Sequence, residues 1–412
     1  MNVMTTKTPT AVFDSLESLL DTAKQITLPK HICTEDYAQA VSFLKCYRGS
    51  LGTFNAYRRE IERLLHWVGL VGKKTLQNVS RDDIEAFVKF CQNPPKNWIG
   101  LHNVKRFNDQ DGLRVPNCAW RPFVVSLSKA ERAKGIQPKV ENYQLSQGAT
   151  QETFAILSTF YQFLITENFV KVNPVGLIRQ KSKFIQKSQG DQPVRRLSTR
   201  QWRYLLQATE ELAAVDPNKH ERTLFILRAL YCMYLRISEL VASQRWLPTM
   251  NDFFEDSEGN WWFKTVGKGN KARQIAVSDD MLDALKQWRG HLGLSPLPSP
   301  ADNFPLIPRL RGKGPMSDPA PIRRLIQSCF NETEVRLRRD GFDQDADMIA
   351  HATVHWLRHT GISDDVKHRP REHVRDDAGH GSSAITDRYI DIELRERHSS
   401  ARDKPLEGVK DE

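Results

Sequence analysis

The sequence predicts a mainly helical protein with one small antiparallel β-sheet, built as two folded domains. Three observations predict it. Apolar residues recur at helical spacing in both halves of the chain, two short extended runs in the second half flank a Gly/Asn turn, and the composition breaks sharply over residues 179–203. At about 150 residues per domain, 412 residues provide two or three domains with cores of their own. A hydrophobic fraction of 39% and a charged fraction of 27% exclude a chain disordered throughout. No run approaches the roughly 18 uninterrupted apolar residues of a membrane span. Asp14, Glu17 and Asp21 interrupt the stretch where a secretory signal would be apolar. Six cysteines without a CxxC pair exclude a zinc ribbon and a disulfide framework, so a soluble, cytoplasmic protein is expected. The net charge of +10 and a pI near 9.2 point to a polyanionic partner.

The elements follow in order. Residues 1–30 are Thr-rich, with one short amphipathic piece around Phe13, Leu16, Leu19 and Leu20, and are expected to be a loosely attached arm. From Thr53, Tyr57, Ile61, Leu64, Leu65 and Val68 share one helical face, with Arg58, Arg59, Glu60 and Arg63 turned away from it. Ser80 is a candidate N-cap for a helix with Asp82 and Asp83 in its first turn and Ile84, Phe87 and Val88 inward. A third helix covers 150–166 through Phe154, Leu157, Phe160, Tyr161 and Leu164. Residues 31–180 thus read as an all-helical domain, with a Pro- and Asn-rich interruption over 92–118 that the pattern does not assign. Eight basic residues, Arg179, Lys181, Lys183, Lys187, Arg195, Arg196, Arg200 and Arg203, are opposed only by Asp191, which places +7 of the +10 in this short stretch. With Gly190 and Pro193 inside it, the core of the stretch, 181–196, reads as an interdomain linker, either merely solvated or able to grip phosphates.

The second domain, 197–396, opens with Ser198 as N-cap and continues into an apolar helix over 222–242. A strand near 250–254 and runs at 261–266 and 272–277 make a three-stranded antiparallel sheet, with a hairpin turn at Gly267–Lys271. Residues 293–320 are Pro-rich loop, the chain then turns helical, and 397–412 form a polar tail.

Candidate chemistry lies in this half. Arg236 ends an apolar run, where a guanidinium needs a partner; Glu239 or a bound phosphate could serve. Lys268 sits at the hairpin tip. In HATVHWLRHT, His351, His355 and His359 fall four residues apart, a metal-like face without an HExxH glutamate, while His355 and Arg358 could converge on one anion. AGHGSSAITDRYIDI supplies His380 and Tyr389.

Taken in order, Arg236, Lys268, His355-x-x-Arg358, His380 and Tyr389 resemble the catalytic set of the tyrosine recombinase (phage integrase) family. The contexts that match are LRISEL, GKGNKAR, HWLRHT and GHGSSAITDRY. The resemblance covers about 195–395, and more weakly the helical half through QETFAILSTFYQFLITENFVKVNP. It implies a helical core-binding domain and an α+β catalytic domain forming a C-shaped clamp on double-stranded DNA. It also implies a homotetramer on DNA, an accessory DNA-bending protein, nucleoid association, and no cofactor or metal. Tyr389 would be the nucleophile, Arg236 and Arg358 the phosphate clamps, Lys268 the general acid, His355 a proton-transfer aid and His380 a phosphate contact, with Glu239 and His359 supporting them. Arg179, Lys181, Lys183, Lys187, Arg195, Arg196, Arg200, Lys271 and Arg273 are the candidate DNA contacts. A type IB topoisomerase and a catalytically silent DNA-binding protein are the alternatives. The chain departs from the family pattern at Tyr234, where a small residue or Gly is usual two before the first Arg. It departs also at Ala378 in place of Leu, in the acidic residues Asp364, Asp365, Asp376 and Asp377, and in a long 293–350.

Overall fold

A computed structural model describes residues 7–20, 28–127, 131–132, 135–176, 178, 184, 195–244, 246–267, 271–381 and 401–402. The chain divides into two compact units, Met1–Asp191 and Gln192–Glu412. Most of the basic stretch 181–194 and the tail 403–412 lie outside the described residues.

In the first unit α1 (Leu16–Leu20), α2 (Thr34–Lys45), α3 (Leu51–Trp67), α4 (Arg81–Gln92) and α5 (Gln147–Thr166) surround one core that includes Phe43, Ile61, Phe87 and Phe160. Ser80 caps α4 as expected: its N–H donates to Asp83 Oδ2 at 2.8 Å and its Oγ accepts from Asp83 N at 3.3 Å. The unit is not all helical. The interruption folds as a hairpin, β2 (Phe107–Gln110) against β3 (Leu113–Pro116), beside a short parallel pair, β1 (Ile99–Gly100) with β4 (Phe123–Val124).

That insertion overturns two expectations. Glu60 and Arg63, charged and turned away from the apolar face of α3, are nonetheless buried. Arg63 donates to Glu60 at 2.9 Å and to the Pro122 carbonyl at 2.8 Å, and lies over the Phe123 ring. Segment 99–124 covers the face that periodicity assigns to water, and the charges survive there as a hydrogen-bonded pair. Nor is 7–20 a loose arm. Val12 and Phe13 are fully buried, and their N–H groups donate to Glu62 Oε1 at 2.7 and 3.2 Å. Asp14 takes both forks of Arg114 at 2.8 Å. The amphipathic piece around Phe13, Leu16, Leu19 and Leu20 is too short to announce such docking.

The second unit contains α6 (Thr199–Val215), α7 (Pro217–Cys232), the sheet β5 (Phe253–Glu255), β6 (Trp261–Val266) and β7 (Ala272–Ala276), then α8 (Asp279–His291), α9 (Ala320–Arg339), α10 (Asp343–Ala350), α11 (Val354–Asp365) and α12 (Arg371–Ala378). Ser198 and Gln201 form a reciprocal cap on α6, at 3.2 and 2.9 Å. The sheet is antiparallel in the order β5-β6-β7, pairing Phe263 with both Phe253 and Ile275. These residues sit in one core with Leu230, Trp288, Ile326 and Leu357. The Pro-rich loop is tied down by Arg289, which donates to the Ser295 carbonyl and to Asp302, both at 2.7 Å.

The helix expected to reach residue 242 stops at Cys232. Tyr234 adopts a left-handed conformation, φ +50°, and the chain turns away through extended Arg236 into a 3-10 turn, Ile237–Glu239. Leu235, Leu240 and Val241 stay buried beyond the helix, so the apolar run reports burial rather than helix. Among the described residues no helix is long and apolar enough to cross a membrane.

Candidate active site

The break after α7 builds the first half of the site. Extended at φ −78° and ψ 144°, Arg236 presents its N–H to Glu239 Oε2 at 2.8 Å and its Nη1 to Glu239 Oε1 at 3.2 Å. The same carboxylate takes Nη1 and Nη2 of Arg273, from β7, at 2.7 and 2.8 Å. Burial pushes the Glu239 carboxyl up, but Arg273 and then Arg236 outweigh it and hold the group below the usual carboxylate range. Glu239 is 1% exposed and the Arg273 side chain 9%, whereas 28% of the Arg236 side chain stays open. Two sealed groups therefore aim a third, accessible one.

The second half comes from α11. Gly361 lets this helix close on the end of α7: a Cβ there would lie 2.1 Å from the Tyr231 carbonyl oxygen. One turn earlier, Arg358 is 1% exposed, its Nη1 donating to the Tyr234 carbonyl and its Nη2 to the Ala378 carbonyl at 2.6 Å. Ala378 ends α12, and Gly379 at φ +64° turns the chain so that His380 N donates to the Arg375 carbonyl at 3.1 Å.

Three histidines gather round these arginines. Partial burial, then Arg358 and Arg236, hold His355 below its ordinary value. His380 is pushed down to about 4 by burial and then by Arg358, Arg236 and Arg273. His359, whose ring meets that of His355 edge-on at 4.4 Å between centroids, is likewise pushed down to about 4 by burial and then by its charged neighbours. His380 and His359 are therefore neutral at pH 7, each able to offer one N–H and one lone pair, and the positive charge of the site resides on the guanidiniums. His351 lies before α11 and is exposed, so the three-histidine face is not made.

The sheet brings the hairpin to the same place. A Cβ at Gly267 would lie 2.9 Å from Arg273 Nη1, 3.1 Å from Glu239 Oε1 and 3.5 Å from Arg236 Nη1. Gly267 N donates to the Lys271 carbonyl at 2.9 Å and closes the turn. Lys268 follows directly; it and Tyr389 lie outside the described residues.

Behind the arginines runs a polar network made largely of the acidic residues that depart from the family pattern. The Tyr234 hydroxyl donates to Asp365 and accepts from Arg369 Nη1 at 2.9 Å. Arg369 Nη2 reaches Asp377 Oδ2 at 2.6 Å, and the Asp377 carbonyl accepts from Arg273 Nε at 2.9 Å. Tyr231 donates to Asp364 at 2.9 Å. The backing of Arg358 and that of Arg236 are thus continuous.

The candidate DNA contacts divide. Arg195 and Lys271 are exposed and Arg196 is half-buried. Arg200 is engaged with Asp345 at 2.9 Å, over the Phe342 ring. Arg273 is corrected: three of its donors are spent inside the protein, so it braces Glu239 instead of meeting DNA. Arg179, Lys181, Lys183 and Lys187 lie outside the described residues. Sequence reasoning missed Arg323, exposed near the start of α9, which lines a cavity of about 340 Å³ with Leu235, Ile237, Thr353, Val354 and His355. A lone arginine near a helix start has no distinguishing signal until the fold sets it beside His355.

Two arginines braced from behind, with imidazoles at their side, define a site for a phosphate-like oxyanion. No family model matches the chain. A tyrosine recombinase XerC of Chlorobaculum parvum (strain DSM 263 / NCIMB 8327) is 25% identical over 161 residues, 38% of this chain and 43% of the relative, so the chain spans less than half the length of this curated relative. A XerH site-specific recombinase bound to a palindromic difH substrate, in a post-cleavage complex, superposes with a TM-score of 0.54 at 14% identity, over 90% of this chain and 85% of that one. A lambda integrase tetramer bound to a Holliday junction gives 0.48 at 12% identity, over 91% and 80%. The fold is that of the tyrosine recombinases.

Proposed function

We propose that the protein is a site-specific DNA recombinase that cleaves and rejoins strands through a 3′-phosphotyrosine formed by Tyr389, and that it integrates or excises a mobile element. One observation carries the reading: Arg236 and Arg358, distant in sequence, are set beside His355 and His380 by backing that leaves Arg236 accessible. A phosphodiester under attack gathers negative charge on its non-bridging oxygens, and preformed guanidiniums stabilise that charge without reorganising. Tyr389 Oη bonds to phosphorus, its proton passes to His355, and the P–O5′ bond breaks. Lys268 protonates the leaving 5′ oxygen. Because the phosphodiester is exchanged rather than hydrolysed, a 5′-hydroxyl from the partner duplex reverses the step and rejoins the strand. Tetramer assembly on two duplexes, with the residues after Tyr389 packing on a neighbouring protomer, completes the proposal.

The test is covalent trapping. Wild-type protein and Tyr389→Phe are incubated with nicked duplexes cut from DNA flanking the protein's own gene, and detergent-resistant adducts are mapped. An adduct at Tyr389 in wild type alone is expected, at one or a few positions. Relaxation of arbitrary supercoiled plasmids would replace the recombinase with a topoisomerase, and tight binding without any adduct would leave a DNA-binding protein.

A further inference from the structure

We infer that Tyr234 is a positioning residue whose buried hydroxyl, clamped between Asp365 and Arg369, holds its own backbone in the left-handed conformation that delivers the carbonyl to Arg358. The inference rests on the recombinase reading for its catalytic consequence, though not for its structural one. The backbone at Tyr234 stands at φ +50°, a region that residues with a Cβ seldom occupy and glycine enters freely. Its carbonyl accepts one fork of Arg358 from this turned conformation. Something other than intrinsic preference must hold the turn. The side chain is 1% exposed, and its hydroxyl gives its proton to Asp365 and receives Arg369 Nη1 at 2.9 Å. Arg369 is fastened in turn to Asp377 at 2.6 Å. Burial and then Asp365 push the phenol far above its ordinary value, so it stays a donor throughout the working range. The acidic residues beside the His-x-x-Arg motif therefore have a use: they anchor a tyrosine that occupies a glycine-like position.

The test separates positioning from stability by comparing Tyr234→Phe with Tyr234→Gly. Phenylalanine keeps the ring packing and loses the clamp, whereas glycine loses the ring and needs no clamp to turn left-handed. The expected order of melting temperature is wild type, Phe, Gly. The expected order of single-turnover adduct formation on the trapped duplex is wild type, Gly, Phe, with Phe down about tenfold or more and DNA binding unchanged within about twofold. A second readout needs no DNA: exchange of the Arg358 guanidinium protons, followed by nitrogen-15 NMR and assigned with Arg358→Lys, should be about tenfold faster in Phe than in Gly. Cleavage and proton exchange that both follow the melting temperatures would overturn the inference. If wild type forms no adduct at all, the recombinase reading fails, and the exchange order alone decides the role of Tyr234.

Discussion

Replacing Glu239 by glutamine keeps the shape of the side chain and deletes its charge. In the structure this carboxylate is 1% exposed and takes four N–H groups, two from Arg236 and two from Arg273. Removing one partner of a buried ion pair costs about 3–5 kcal/mol, because the remaining guanidiniums stay buried without a counter-charge. For a unit the size of Gln192–Glu412, each kcal/mol is worth about 2–4 °C, so its melting temperature should fall by about 6–20 °C. Binding and cleavage should part company. The site gains one unit of positive charge, so equilibrium binding to DNA holds or tightens. Arg236, no longer aimed, should cost about 10²-fold in cleavage, the magnitude typical of a lost transition-state donor. Calorimetry, a binding titration at fixed salt and single-turnover adduct formation read the three quantities. A variant that melts with wild type, or cleaves at its rate, would refute the dependence of Arg236 on Glu239.

Gly361→Ala drives a Cβ to 2.1 Å from the Tyr231 carbonyl, and because backbone must move to admit it, thermal unfolding should show a loss of about 1–3 kcal/mol or more, with cleavage falling too. Phe13→Ala, at a fully buried position, should cost the first unit about 3–5 kcal/mol in urea unfolding; a change below about 1 kcal/mol would restore the loose arm. His66 is fully buried, its Nδ1 3.0 Å from His31 Nε2, and burial followed by His31 pushes it down to about 3. The unfolded chain takes up this proton near pH 6.5 and the folded one only near 3, so stability is complete above pH 6.5 and declines as pH falls through that window, by up to about 1.4 kcal/mol per unit. Urea midpoints at pH 7 and 5 should show a shallower decline for His66→Gln, and parallel declines would sink this account.

What the sequence made readable was what periodicity and capping encode. The helix over 150–166, the caps at Ser80 and Ser198 and strand β6 appear where apolar spacing and N-cap chemistry put them. Arg236, His355-x-x-Arg358 and His380 could be singled out as candidates because each sits in a motif of several residues at fixed spacing. The failures share a cause: one element covers another in a way that no local pattern records. Glu60 and Arg63 lie off the apolar face of their helix, yet segment 99–124 buries them. The hairpin within that segment did carry a local signal, Asp111-Gly112, and both residues have positive φ. The helix drawn to residue 242 was wrong because buried loop and buried helix have the same apolar composition. Arg273 looked like any basic residue of a hairpin, and only strand pairing brings it onto Glu239.

The acceptors described for the two arginines differ in kind, and this bears on how each can be lost. Both acceptors described for Arg358 are main-chain carbonyls, of Tyr234 and Ala378. No side-chain replacement at either position deletes an acceptor; it can only displace one. Arg236 leans on a single carboxylate, which one nucleotide change can abolish. Mutational damage to the first arginine should therefore be graded and scattered through the residues that shape two turns, while damage to the second should be abrupt and concentrated at one codon. A saturation-mutagenesis map of the second unit would carry that asymmetry as a broad shallow trough around Arg358 and a narrow deep one at Glu239.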